Sequence, residues 1–324
     1  MFRGVASKAF SCICASYQVY FRGGSLNKEF AKCPHCGVSV ESDALCKTCE
    51  MQRQAELEAI KNKYSRLRLE PAFDPARIFT LRAPTVNDLW FRVVYHILET
   101  NKNGEFIHAY KTGSIQKGSF EGEQSRLQFP GIALMVEYPN VDYIVKMPEG
   151  SNIPAPTDDE KVHKYFEEYI LGHELKENET YTYGQRINIS LWGILEILKA
   201  SPVTNQAIVE IGRPEDWFEC KGKDGKDDPP CLRLIDFKVI PAYDENGKLI
   251  KEKSKLTMSV YFRSWDLYGG MPENLGGLSL LQQFVSDEIG IPVGPLYCYS
   301  SGLHLYRYQK ELAELRTRIS CPEY

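Results

Sequence analysis

No apolar run in this 324-residue sequence approaches the ~20 residues that a helix needs to cross a bilayer, so a helical membrane span is not expected. Charge of one sign is also scarce. Lys and Arg number 39 against 43 Asp and Glu, a formal net of −4, which excludes a chain coated throughout for nucleic acid and leaves room only for a local basic patch. No internal repeat or low-complexity tract argues for a solenoid or a disordered polymer. Regular βαβ alternation is missing too, and with it the expectation of a dinucleotide-binding fold. What is present suits a soluble globular protein, with 43% hydrophobic and 25% charged residues.

Two further absences sit near the N-terminus. The first 28 residues contain no acid but carry Arg3, Lys8, Arg22 and Lys28. That composition is faintly like an organelle transit peptide, although the plainer expectation is an ordinary extension (residues 1–30) of a cytoplasmic protein. From Glu50 to Leu69 there is no Gly or Pro, and Glu, Lys, Arg, Gln and Ala dominate. A helical linker over 51–75 is expected, with Met51, Leu57, Ile60 and Tyr64 as a modest apolar stripe. Pro71 and Pro75 then end it.

Cysteine is plentiful, at ten residues. Cys33, Cys36, Cys46 and Cys49 form two CxxC knuckles nine residues apart, in CPHCGVSVESDALCKTC. Four thiolates converging in this way satisfy tetrahedral Zn2+, so residues 31–50 read as a small structural zinc ribbon in a reducing compartment. Whether such a ribbon meets nucleic acid, a partner protein or its own chain stays open. Cys220, Cys231, Cys298 and Cys321 are scattered and read as free thiols.

Beyond residue 76 the elements mix. Helices are expected over 86–100, 159–171, 187–198, 278–289 and 310–318, and strands over 131–137, 206–211, 232–242 and 256–263, with another strand inside 294–308. Asn246-Gly247 signals a hairpin turn. The fold class is α+β, a mixed sheet layered with helices.

Within that region four motifs occur in a telling order: YTYGQRI (181–187), DPPCLRLIDF (228–237), FRSWDLYGGMPENLGGLSLLQQ (262–283) and GLHLY (302–306). Together they resemble the YG element, the PPC nucleophile motif, the RSxD…PxN signature and the HxY motif of thymidylate synthases. The resemblance covers most of residues 180–310; residues 76–180 match only loosely, and the ribbon lies outside the family core. It implies the thymidylate synthase fold over 76–324, a homodimer packed through its sheets, and binding of a pyrimidine nucleoside monophosphate and a reduced folate.

The residue chemistry agrees with what the resemblance implies. Cys231 follows two prolines that stiffen the loop presenting its sulfur, and a thiolate is the nucleophile needed at C6 of an electron-poor pyrimidine. A neighbouring guanidinium favours that ionised form, and by the resemblance Arg263 supplies it while also meeting the substrate phosphate. Tyr183 matches the family's tyrosine, the base for the C5 proton, directly or through water. Asp266 matches the aspartate that contacts the pyrimidine edge or orders the folate. Asn274 matches the amide that reads a uracil edge, where an aspartate would suit cytosine. His304 and Tyr306 match the pair on the sugar 3′-hydroxyl, and Ser264 is a phosphate contact.

Three departures stand beside the motifs. Leu232 replaces the histidine usual after the nucleophile. Thr204-Asn205-Gln206 replaces the Ser-Arg-Arg segment that grips phosphate from the second subunit, leaving Lys111, Lys117 or Arg126 to supply charge. The C-terminus, ISCPEY, lacks the apolar closing tail.

The leading expectation is conversion of dUMP to dTMP with 5,10-methylenetetrahydrofolate. Capture of the same intermediate by water would instead make a 5-hydroxymethyl nucleotide from dUMP or dCMP, and a methanopterin-type carrier is a further variant. In a different class, the chain would be a nucleic-acid-binding or nucleotide-sensing protein using the ribbon.

Overall fold

A computed structural model describes residues 31–32, 39–40, 51, 54–55, 58, 78–102, 126–129, 131–177, 179–221 and 228–320. The chain divides into two compact units, Met1–Pro71 and Ala72–Tyr324. In the first, β1 (Ala31–Lys32) pairs antiparallel with β2 (Ser39–Val40). Residues 51, 54, 55 and 58 are helical, and Met51 is exposed. The four knuckle cysteines and the first 30 residues lie outside the described residues, as do Leu57, Ile60, Tyr64, Lys111, Lys117 and the last four residues.

The second unit is built on a six-stranded mixed sheet. Its strands are β3 (Phe79–Ala83), β5 (Ile132–Val136), β6 (Ile208–Glu210), β7 (Leu232–Ile240), β8 (Lys255–Phe262) and β10 (Val293–Ser300), in the order β3-β5-β10-β8-β7-β6. The pairs β3–β5 and β8–β10 are parallel and the rest antiparallel. A second, three-stranded sheet, β4-β11-β9, joins β4 (Arg126–Gln128), β11 (Leu303–Tyr306) and β9 (Trp265–Asp266).

Period-2 alternation decides which sheet face is covered. Leu256, Met258, Val260, Phe262, Leu296 and Cys298 are wholly buried. Each of the larger aliphatic and aromatic side chains among them stabilises the fold by about 1.5–3 kcal/mol relative to exposure. Met135, Ser259, Tyr261 and Tyr297 on the opposite face are half-buried and Tyr299 is exposed.

The covered face carries α5 (Gly270–Ile289), against which α1 (Val86–Lys102) and α3 (Gly184–Ala200) pack. Leu275, Leu278, Leu281, Val285 and Ile289 give α5 its buried stripe, and Gly290, at φ +67°, ends it by donating to the Ser286 carbonyl. This helix begins eight residues before the expected start. Pro272 is tolerated in the first turn, where its missing N–H costs nothing. Gly276 and Gly277 are required by close packing, since a Cβ would lie 2.8 Å from Val162 and 2.7 Å from Ile170 respectively. Among the described residues the remaining elements are α2 (Asp159–Tyr165), which runs into a π turn over Phe166–Ile170, the short helices α4 (Asp216–Glu219) and α6 (Lys310–Thr317), and 3-10 turns over Lys251–Lys253 and Arg307–Gln309. Gly247, at φ +75°, forms the expected turn, its N–H bonded to the Asp244 carbonyl.

Candidate active site

The segment 228–231 delivers Cys231 to the head of β7, and Arg263, at the end of β8, holds it there. The Arg263 backbone N–H donates to the Cys231 carbonyl at 2.9 Å. Its guanidinium Nε donates to the carbonyls of Pro229 (3.1 Å) and Pro230 (3.2 Å), Nη2 also reaches Pro229, and Asp228 lies 3.7 Å away. The planar guanidinium, with several N–H donors in a fixed fork, suits two successive carbonyls. Gly302 makes room for this corner, because a Cβ there would come within 2.8 Å of the Arg263 carbonyl.

Behind the loop lies an ionic cluster that the sequence reading did not single out. Asp216 is fully buried and accepts from Arg186 Nη2 (2.7 Å), the Arg213 N–H (2.7 Å) and Arg233 Nη1 (3.4 Å). Arg233 Nη1 also donates to the Pro230 carbonyl at 3.4 Å. The proline pair is thus held from both sides.

Burial pushes the Cys231 thiol above its ordinary range, and Asp228 adds to that, against the pull of Arg263 and Arg233. The resting sulfur is therefore a protonated, free thiol. Tyr183 stands beside it at the start of α3, its hydroxyl accepting from the buried Leu232 N–H at 3.2 Å. Burial and then the neighbouring Cys231 hold this phenol well above the usual tyrosine range, so it stays neutral.

Tyr183 belongs to a belt of four tyrosines. Tyr169 meets Tyr183 edge-on at 5.0 Å between ring centroids and stacks on Tyr165 at 5.4 Å, while Tyr181 lies 5.9 Å from Tyr183. Backbone contact locks the belt to α3. Thr182 Oγ1 donates to the Gly172 carbonyl at 2.7 Å, Asn188 Nδ2 to the Leu171 carbonyl at 2.6 Å, and a Cβ on Gly184 would come within 2.1 Å of the Gly172 oxygen.

Asn274, on the first turns of α5, links the belt to β9. Its Nδ2 donates to Tyr165 Oη at 2.8 Å, and its Oδ1 accepts from the Trp265 indole at 2.9 Å. Asp266 caps the same helix start, accepting from the N–H groups of Tyr268 (3.2 Å), Gly269 (3.2 Å) and Gly270 (2.9 Å) and from Gln309 Nε2 (3.2 Å). Burial nonetheless raises its carboxyl above the ordinary range. Ser264 is half-buried between Arg263 and Trp265.

The small sheet brings in the last group. His304 is buried; its Nδ1 donates to the Gly302 carbonyl at 2.7 Å, and its Nε2 has no hydrogen-bond partner among the described residues. Since the carbonyl demands a proton on Nδ1, Nε2 of the neutral ring is left as a buried acceptor. Burial and the nearby Arg126 lower the His304 pKa to about 3, so the ring is neutral near pH 7. Tyr306 packs edge-on against His304 at 4.5 Å and hydrogen-bonds to Arg126, its partner across the β4–β11 register.

Cys231, Tyr183, Arg263, Asp266, Asn274, His304 and Tyr306 thus form one continuous constellation. An ionised Cys231 would push up the phenol pKa values of Tyr169, Tyr181, Tyr183 and Tyr306. Of the three basic residues considered for extra charge, Arg126 lies in this group. Tyr165, Tyr169, Tyr181 and Trp265 are additions that carried no role in the motif reading. Leu232 is fully buried, and Thr204, Asn205 and Gln206 lie just before the edge strand β6.

Comparison with known proteins points the same way. Residues 169–321 match the family described as thymidylate synthase. A Methanosarcina barkeri protein described as "Putative thymidylate synthase" is 27% identical over 255 residues, 76% of this chain and 97% of that protein. Its namesake from Methanosarcina mazei is 26% identical over 257 residues, with the same coverage. The "Thymidylate synthase" of Listeria monocytogenes (strain HCC23) is 29% identical over 137 residues, 42% of this chain and 37% of that protein.

Proposed function

We propose that this chain, a one-carbon transferase carrying a thymidylate synthase family domain, converts dUMP to dTMP with 5,10-methylenetetrahydrofolate as both carbon and hydride donor. The observation that carries the reading is the convergence of Cys231, Tyr183, Arg263, Asn274 and His304, from five separate stretches of sequence, into one half-buried site.

In this reading Cys231 Sγ adds to C6 of the pyrimidine. The thiol ionises as it does so, with Arg263 supplying the counter-charge that burial otherwise opposes. Electron density moves to C5, which attacks the methylene carbon of the folate. The C5 proton leaves through Tyr183, whose neutral phenol works as a hydrogen-bonded relay for a water rather than as a phenolate. Elimination of tetrahydrofolate, hydride return and loss of Cys231 then release dTMP and dihydrofolate. Arg263, Ser264 and Arg126 bind the phosphate side; the His304 Nε2 acceptor suits a sugar hydroxyl, with Tyr306 beside it.

A second reading keeps every early step and lets water capture the exocyclic methylene, giving a 5-hydroxymethyl nucleotide. Leu232 favours it, since the residue after the nucleophile is a fully buried aliphatic with no hydrogen bond to offer the substrate.

Two assembly features belong to the same proposal. The half-open sheet face with Tyr261, Tyr297 and Tyr299 is the surface for a homodimer. Cys33, Cys36, Cys46 and Cys49 would hold a structural zinc, a reading that rests on the spacing of the two CxxC pairs, the first of which lies in sequence between the paired β1 and β2.

Mass spectrometry of the nucleotide after incubation of dUMP, and in parallel dCMP, with methylenetetrahydrofolate tests the function. A methylated product with dihydrofolate supports the synthase; a hydroxymethylated one with tetrahydrofolate moves the protein to the second reading. Neither product, or turnover that survives Cys231→Ser, refutes both.

A further inference from the structure

Asn274 has two hydrogen-bonding ends, and an amide can turn over. Donor and acceptor then exchange places, so a freely rotating asparagine can read either a uracil edge (carbonyl at position 4, N–H at position 3) or a cytosine edge (amine at 4, bare nitrogen at 3). Nothing in the amide itself chooses between them. Its two protein partners are not equivalent in this respect. The Tyr165 hydroxyl is a donor and an acceptor, so it satisfies either orientation. The Trp265 indole N–H can only donate, so the atom facing it at 2.9 Å must be Oδ1.

Trp265 is itself closely packed. It is 2% exposed, its ring stacks on Phe262 at 4.2 Å with 3° between planes, and its backbone N–H donates to the Gly302 carbonyl at 3.0 Å. With both partners engaged, Asn274 keeps one N–H and one oxygen lone pair for a ligand, each in a fixed place.

We propose that Trp265 is the positioning residue for base selection: its indole N–H locks the Asn274 amide in a single orientation, so that the site accepts one pyrimidine edge and rejects the other. The inference rests on the proposed function for the identity of the ligand, and in that reading the accepted edge is uracil. A turned amide would leave the indole N–H buried and facing an N–H, and that penalty is what cytosine must overcome.

The lock sets two substitutions apart. Trp265→Phe keeps an aromatic ring on Phe262 and removes the donor, so the amide becomes free to turn. Tyr165→Phe removes a partner that never determined the orientation. Dissociation constants for dUMP and dCMP, measured by titration calorimetry on the full chain without folate, give the readout as a ratio. In W265F the preference for dUMP over dCMP falls by about tenfold, which is the size of one hydrogen bond's worth of discrimination. In Y165F both nucleotides weaken together and the ratio stays within about twofold. A residue that merely supported the fold would weaken both ligands and leave the ratio alone.

Should W265F fail to fold, replacing Trp265 by its benzothienyl analogue removes the donor with the ring shape kept, since sulfur takes the place of the N–H; the same tenfold loss is expected. A wild-type preference retained in the folded, nucleotide-binding variant overturns the lock and leaves the proposed function standing. Wild-type protein that prefers dCMP and loses that preference in W265F overturns the uracil assignment while supporting the lock. Wild-type protein that binds neither nucleotide overturns both.

Discussion

Replacing Tyr183 by Phe removes a single oxygen, and the structure separates its two consequences. The first concerns stability. That oxygen is the acceptor for the Leu232 N–H, in a place where Leu232 is wholly buried and Tyr183 only 5% exposed. A buried donor left without an acceptor costs about 1–3 kcal/mol. In a unit of this size each kcal/mol moves the melting temperature by about 2–4 °C, so a loss of several degrees is expected by calorimetry. The second concerns chemistry. If the phenol relays the C5 proton, its loss costs roughly 10²–10⁴ in kcat, or about 3–5 kcal/mol on the barrier. The proton step follows attack by Cys231, so the covalent nucleotide adduct should still form. Release of tritium from [5-3H]dUMP follows the proton, and mass spectrometry of acid-quenched protein follows the adduct. The expected result is slow tritium release with a Cys231-linked nucleotide accumulating. Tritium release within about threefold of wild type would refute the relay. Failure to form the adduct, with nucleotide still bound, would refute the order of steps.

Other substitutions probe the scaffold. Asp216→Asn leaves Arg186 buried without its carboxylate and is expected to cost about 3–5 kcal/mol in urea unfolding; a loss below about 1 kcal/mol would mean that the cluster is dispensable. His304 makes acid stability titratable. Its folded pKa of about 3 lies below the ordinary 6.5, so below pH 6.5 the unfolded chain takes up a proton that the native chain refuses. Its contribution to stability should fall by about 1.4 kcal/mol per pH unit from pH 6.5 towards pH 3, and His304→Gln should flatten that limb of the stability profile. An unchanged limb would contradict the buried neutral ring.

Much of the catalytic unit was legible because its signals are local. β8 could be read from the alternation of Leu256, Met258, Val260 and Phe262 with smaller or polar residues, and the C-terminal half of α5 from its apolar spacing. Its N-terminal half was hidden by Gly276 and Gly277, whose lack of a side chain is dictated by Val162, Ile170 and Tyr165 on other elements. The two-residue β9 and three-residue β4 are too short to show a period at all. Cys231 could be found through its flanking prolines and neighbouring motifs. The Asp216 cluster could not, since Arg186, Asp216 and Arg233 are ordinary surface-type residues until the fold buries them together. Trp265 and Tyr165 likewise looked like core aromatics, and only their distances to Asn274 assign them a different task.

The three-stranded sheet has a consequence for how the site comes into being. Arg126 and Tyr306 are register partners about 180 residues apart, and β9 joins from a third stretch. Among the described residues no local hairpin builds this corner; β4 meets β11 only after the long intervening chain has found its place, and such distant pairings form late and slowly. A refolding chain should therefore regain helical circular dichroism before it regains nucleotide affinity. A ligand present from the start would act on the final ordering of this corner and do little for the earlier collapse.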